Sequence, residues 1–146
     1  MTQLRADGAT REAAGWAAFT TALERIPRER WEAVGVMPGW TVKDLLWHVA
    51  GWLVDCAGQL EAMREGRRVE DDATDEQTDA RNAQLAAEAR TMDLDAVWSG
   101  LLEARALVLR RWGELPEVDQ TALDELELET WGHYEEHLPH LEAFAG

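Results

Sequence analysis

The sequence predicts an all-α protein, a four-helix bundle in up-down-down-up order. Three observations predict it. No stretch alternates apolar and polar residues as a half-buried strand would. Apolar residues recur instead at helical spacing, as Val97, Leu101, Ala104 and Val108 do. Capping signals, prolines and glycines fall between the helical segments. A chain of 146 residues with 46% hydrophobic content can build one ordinary core, so one domain over residues 1–146 is expected.

Helix one is expected from about Thr10 to Ile26, stopping before Pro27 because a residue preceding proline avoids the helical region. The segment PRERWEAVGVMPG, residues 27–39, reads as a short turn or a single helical turn closed by Pro38-Gly39. Helix two has the clearest start: Thr41-Val42-Lys43-Asp44 carries capping-box spacing, with Trp40 and Leu45 placed as a hydrophobic staple. It can run to about Arg64. The polar stretch GRRVEDDATDEQT, residues 66–78, reads as a long exposed connection between helices two and three, with helical character resuming over Asp79–Arg90. Helix three is expected over Asp93–Trp112 and a loop over Gly113–Asp119. Helix four opens at a second capping-box pattern, Thr121 to Asp124, and runs to about Phe144.

Composition excludes several functions. Twenty-nine carboxylates against fourteen Lys and Arg give a formal charge of −15, which repels phosphate backbones and anionic lipids. Nucleic acid and membrane are therefore not expected partners. No run is long and apolar enough to span a bilayer, and the first fifteen residues have no secretory signal, so a cytoplasmic location is expected. The lone Cys56 excludes an intramolecular disulfide and reads as a structural thiol. Eight tryptophans are spread over every predicted helix or its approach; they pack a core, and Trp47, Trp52 and Trp131 are candidates for pocket walls.

The histidines point to a metal. His133 and His137 are one turn apart, so both project from one face of helix four and can share an ion. His140 can pair with His137 instead of His133, although Pro139 lies between them. His48 sits roughly 10 Å into helix two, and His137 about as far from the far end of helix four. They meet at one level if those helices are antiparallel. The long connection allows this by letting helices two and three run parallel, which is the up-down-down-up order. Trp52, Asp55 and Gln59 follow His48 around helix two, a polar stripe suited to a lined cavity. Glu129 and Thr130 flank the His133 stripe and Glu136 borders it. Three neutral imidazoles would leave zinc or nickel open positions for water or a small-molecule substrate.

Two segments, GWTVKDLLWHVAGW at 39–52 and ETWGHYEEHLPHLEAF at 129–144, resemble the DinB-like superfamily of metalloenzymes. So does RNAQLAAEARTMDLDAVWSGL at 81–101. That superfamily includes thiol S-transferases using bacillithiol or mycothiol, and the N-terminal domain of mycothiol-dependent maleylpyruvate isomerase. The resemblance implies an up-down-down-up bundle whose metal triad takes one ligand from helix two and two from helix four. By position these are His48, His133 and His137. His140, near the same face of helix four, is a further candidate for the pocket. It also implies a homodimer.

The function expected is metal-dependent, thiol-dependent S-transfer onto small electrophiles, with a low-molecular-weight thiol as cosubstrate. The alternatives are a hydrolase of a small molecule, with or without metal, and a non-catalytic binding or resistance protein. Glu136 and Asp55 are the candidate bases.

Overall fold

The computed structural model describes residues 2–67 and 73–146. These form α1 (Thr2–Glu24), α2 (Val42–Arg64), α3 (Asp75–Thr91), α4 (Leu94–Glu114), α5 (Gln120–Glu129) and α6 (Trp131–Ala145). One short antiparallel hairpin, β1 (Val34–Met37) with β2 (Trp40–Thr41), precedes α2. The all-α class holds, with four departures from the expected elements.

The segment expected to be a turn or single helical turn does more. A 3-10 turn at Arg28–Arg30 is followed by the hairpin, so a strand pair exists where none was expected. Gly39 has φ 78°, the value at the third position of a type II turn, and Pro38 fixes the second position. The hairpin holds Trp40 and Thr41 at the start of α2, where the predicted capping box forms. The Asp44 backbone N–H donates to Thr41 Oγ1 at 3.0 Å, and the Thr41 N–H donates to Asp44 Oδ2 at 2.9 Å.

The connection expected over residues 66–78 is shortened at its far end, where α3 begins at Asp75 and not at Asp79. Thr74 and Gln77 form a capping box that the composition of the stretch hides. Residues 68–72 of that connection lie outside the described residues. Helix α3 is polar and packs on α2: Leu85 fills the space over Gly51, and Trp52 Nε1 donates to Asn82 Oδ1 at 2.8 Å.

Helix α1 begins at Thr2, well before Thr10, because distant residues anchor its first turns. Arg5 donates to the carbonyls of Trp112 and Leu115 at 2.7 and 2.5 Å. Trp112 Nε1 returns a bond to the Arg5 carbonyl at 3.1 Å.

The predicted fourth helix is two. Its N-cap is Asp119, whose carboxylate accepts from the Ala122 N–H at 2.9 Å, and not Thr121. It breaks at Thr130, where ψ is −100°, and resumes at Trp131. Gly132 makes the break possible, since a Cβ there would lie 2.7 Å from the Glu127 carbonyl oxygen.

Helix α2 packs chiefly on α4, and α1 on α6. At one end Lys43 Nζ donates to the Met92 carbonyl at 2.8 Å; at the other Arg111 lies 3.5 Å from Glu61. Between α1 and α4 the core holds a charge. Glu12 is 1% exposed, takes a bidentate pair from Arg105 at 2.7 and 2.8 Å, and accepts from Tyr134 Oη at 3.0 Å. No helix among the described residues is long and apolar enough to cross a membrane.

Close approach of α1 to α6 supplies a test of this packing. A Cβ on Gly15 would lie 2.7 Å from the Trp131 Cβ and 3.1 Å from its Cα. Gly15→Ala should lower stability by about 1–3 kcal/mol, against the usual gain from placing Ala in a helix. A urea melt that shows it neutral or stabilising would mean the two helices do not touch there.

Candidate metal centre

His48 stands in the second turn of α2, its height set by the Thr41–Asp44 capping box. His133 and His137 stand one turn apart on α6, after the break at Thr130. The three rings converge through Nε2. His48 Nε2 and His133 Nε2 are 3.0 Å apart, and His133 Nε2 and His137 Nε2 are 3.1 Å apart. All three are buried, with 7, 8 and 4% exposure for His48, His133 and His137. Their ligand atoms lie within 4.8 Å of one another, a group of a size that can hold a metal ion.

Hydrogen bonding alone does not account for this cluster. A neutral imidazole has one donor and one acceptor nitrogen, so one proton on His133 Nε2 cannot serve both neighbours well. His48 Nδ1 and His133 Nδ1 are buried with no hydrogen-bond partner among the described residues. Three Nε2 lone pairs directed at one point suit a cation better than they suit each other. The donor set therefore fits a divalent metal.

The electrostatics agree. Burial pushes the His48 pKa down to about 4, with the nearby Asn82 amide acting the other way. Burial, then the neighbouring His48 and His137, push His133 down to about 3. Burial, then His48 and His140, push His137 down to about 4. All three rings are thus neutral at pH 7, the form in which histidine binds metal.

The same shifts predict a pH dependence for the metal-free protein. Each ring takes a proton near 6.5 when unfolded but only near 3–4 when folded. The unfolded chain binds more protons between these values, so stability falls as pH drops from 6.5 toward 4 and is fully retained above 6.5. His133→Gln removes one such ring. From pH 7 to 5 the wild type should lose about 2 kcal/mol more than the variant in urea melts. Equal losses would show that His133 is not held neutral.

A cavity of about 430 Å³ opens over the rings. Its lining includes Met37 and Trp40 from the hairpin region, Trp52 from α2, and Thr78 and Asn82 from α3. Glu129 and Glu136 complete its polar wall. The Trp40 ring meets the His48 ring edge-on, with centroids 5.1 Å apart.

Of the residues predicted from sequence, His48, His133, His137, Trp52 and Glu136 come together at this cavity. His140 does not line it, and stands behind His137 with the two Nδ1 atoms 3.2 Å apart. It therefore accompanies the cluster and does not replace His133. Trp47 is not part of the lining; it packs against Gly100 and donates from Nε1 to Glu88 at 3.0 Å. Trp131 is also outside, buried against α1 at Gly15. Asp55 lies outside too, paired with Arg81 at 3.1 Å. Cys56 is fully buried, and burial holds its thiol well above the usual range with Glu125, Glu129 and Asp55 adding to the effect. It is a packed side chain.

Sequence reasoning missed Met37, Trp40, Thr78 and Asn82 as lining residues. The hairpin and the start of α3 bring them in, and only the Thr74-x-x-Gln77 cap could have signalled the latter.

Residues 13–126 match the family described as the mycothiol maleylpyruvate isomerase N-terminal domain. The matched span includes His48 and ends before His133 and His137. No curated protein and no solved structure matches the chain.

Proposed function

The chain belongs to the mycothiol maleylpyruvate isomerase N-terminal domain family, a DinB-like helical domain, and from that premise we propose that it is a metal-dependent enzyme joining a low-molecular-weight thiol to a small electrophile. The observation that carries this reading is the convergence of three buried, neutral imidazoles on a cavity.

His48, His133 and His137 would hold the ion, and three nitrogen ligands suit zinc or nickel. A divalent ion there supplies positive charge that lowers the pKa of a thiol or water brought against it. The chain's own residues do the rest. The imidazoles need lose no proton before they bind. Trp40, Trp52 and Met37 give the space a thiol would enter an apolar wall. Asn82 is held in place by Trp52 Nε1 and turns its amide toward the same space, where it can orient a polar substrate. Glu136 lines the cavity and can take the thiol proton; the new carbon–sulfur bond then forms as the bond from carbon to the leaving group breaks, and Glu136 releases the same proton to the leaving group or to water.

The same reading takes the long helical spans as an up-down-down-up bundle. Contacts support it. Lys43 with Met92 and Glu61 with Arg111 join like ends of α2 and α4. Arg5 with Trp112 joins opposite ends of α1 and α4, and Glu12 with Arg105 joins their middles. Tyr134 and Glu12 tie α6 to α1. In that order α2 runs antiparallel to the span formed by α5 and α6, so His48 near the start of α2 meets His133 and His137 in the latter half of that span.

The test is a reaction of mycothiol with a model electrophile such as monochlorobimane, followed by fluorescence. Wild-type protein with zinc should accelerate it. His48→Ala, or a chelator, should reduce the acceleration by about 100-fold or more, beyond what changes outside the ligand shell usually do. Equal rates in wild type and His48→Ala would contradict the reading. The presence of Glu136 in the lining favours one second reading, hydrolysis, which would proceed with no thiol added.

A further inference from the structure

The three rings at the centre are not held alike. His48, His133 and His137 turn Nε2 inward. A nitrogen that binds an ion must offer a lone pair, so the proton of each ring belongs on Nδ1. What each Nδ1 meets therefore decides how firmly its ring is set. Among the described residues, the Nδ1 atoms of His48 and His133 are buried with no hydrogen-bond partner. His137 differs, because its Nδ1 lies 3.2 Å from Nδ1 of His140.

A hydrogen bond between those nitrogens has one donor and one acceptor, and either ring can be the donor. If His140 donated, the His137 proton would sit on Nε2. It would then point toward His133 Nε2, 3.1 Å away, where a lone pair is needed. If His137 donates, its Nε2 is left as an acceptor facing the centre. Of the two, that arrangement suits an ion among the rings. The helix brings the pair together: His140 follows His137 at i,i+3 spacing on α6, which continues through Pro139 to Ala145. Their ring centroids are 5.4 Å apart. His137 is 4% exposed and His140 half-buried, so the bond ties a buried ring to one nearer the surface.

We propose that His140 is a positioning residue: it accepts the Nδ1 proton of His137 and so keeps the Nε2 lone pair of that ring turned to the centre. It acts through His137 and is not itself a ligand. The inference rests on the three-histidine centre of the proposed function and adds the group that prepares one of its ligands. A ring held in the right tautomer and orientation loses less freedom when an ion binds, and donation from Nδ1 makes Nε2 the more basic ligand.

Two variants separate the hydrogen bond from the bulk of the ring. Asn carries Oδ1 as many bonds from the backbone as Nδ1 and can accept; Leu fills much of the space and cannot. Long-range proton–nitrogen correlation spectra of the zinc-free protein, at mildly alkaline pH where histidine is neutral, read the tautomer of each ring. His137 should carry its proton on Nδ1 in the wild type and in His140→Asn, and should lose that preference in His140→Leu. Zinc affinity, measured by competition with a chromophoric chelator, should fall about tenfold or more in His140→Leu. In His140→Asn it should stay within about threefold of wild type. A wild-type His137 proton on Nε2 would overturn the proposal. So would equal zinc affinity in wild type and His140→Leu, or a loss in His140→Asn as large as in His140→Leu. Failure of the wild type itself to bind zinc would contradict the metal centre, and the His137 tautomer would still decide this inference.

Discussion

Arg105→Leu should lower the stability of the protein by about 3–5 kcal/mol, the largest loss expected from a residue outside the three-histidine cluster. Arg105 donates two hydrogen bonds to Glu12, which is 1% exposed. Removing the guanidinium leaves that carboxylate buried with, among the described residues, the Tyr134 hydroxyl as its partner. The hydroxyl itself is held protonated, its pKa raised by burial and then by the Glu12 charge. A second substitution tells the pair apart from simple packing. Arg105→Leu/Glu12→Leu should recover much of the loss, because no buried charge then remains. Recovery of nothing would mean that Arg105 acts through its stacking on Trp16, 4.8 Å from the ring, and not through Glu12. The network also bears on the site. Tyr134 follows His133 directly, so its bond to Glu12 helps fix the rotation of α6 that presents the imidazole.

The second large effect concerns metal-linked stability. A ligand that binds only the folded state stabilises it by about 4 kcal/mol at a thousand times its dissociation constant. Zinc at that excess should raise the wild-type stability by this amount. His133→Ala should lose the gain, since His133 is the ring within 3.1 Å of both partners. Without zinc the same variant should tolerate mild acid better than wild type, because it no longer buries a ring whose pKa falls to about 3. A zinc-dependent gain that survives in His133→Ala would place the binding site elsewhere.

Much of the centre was legible in the residues because it depends on local periodicity. The i,i+4 pair at His133 and His137 and the capping box before His48 are both short-range patterns, and both form as read. What was not legible depends on contacts far apart in sequence. Nothing local in the sequence marks Glu12, in the middle of α1, as a core residue; its partners Arg105 and Tyr134 lie far along the chain. The first turns of α1 likewise owe their form to Trp112 and Leu115. The break at Thr130 was hidden because the helical pattern continues across it, and Gly132 alone hinted that two backbones approach there. Trp47 and Trp131 share a helix with a histidine, yet sequence could not say which face turned toward the cavity. Trp47 turns toward Glu88 and Gly100, and Trp131 toward α1.

The central claim is that His48, His133 and His137 hold one divalent ion through their Nε2 atoms. Anomalous diffraction at the zinc edge, from crystals of the zinc-loaded protein, tests it most directly. The account predicts a single strong peak among the three rings, with nitrogen–metal distances of about 2.0–2.1 Å. No peak at that point, or one coordinated by surface carboxylates in its place, would contradict it.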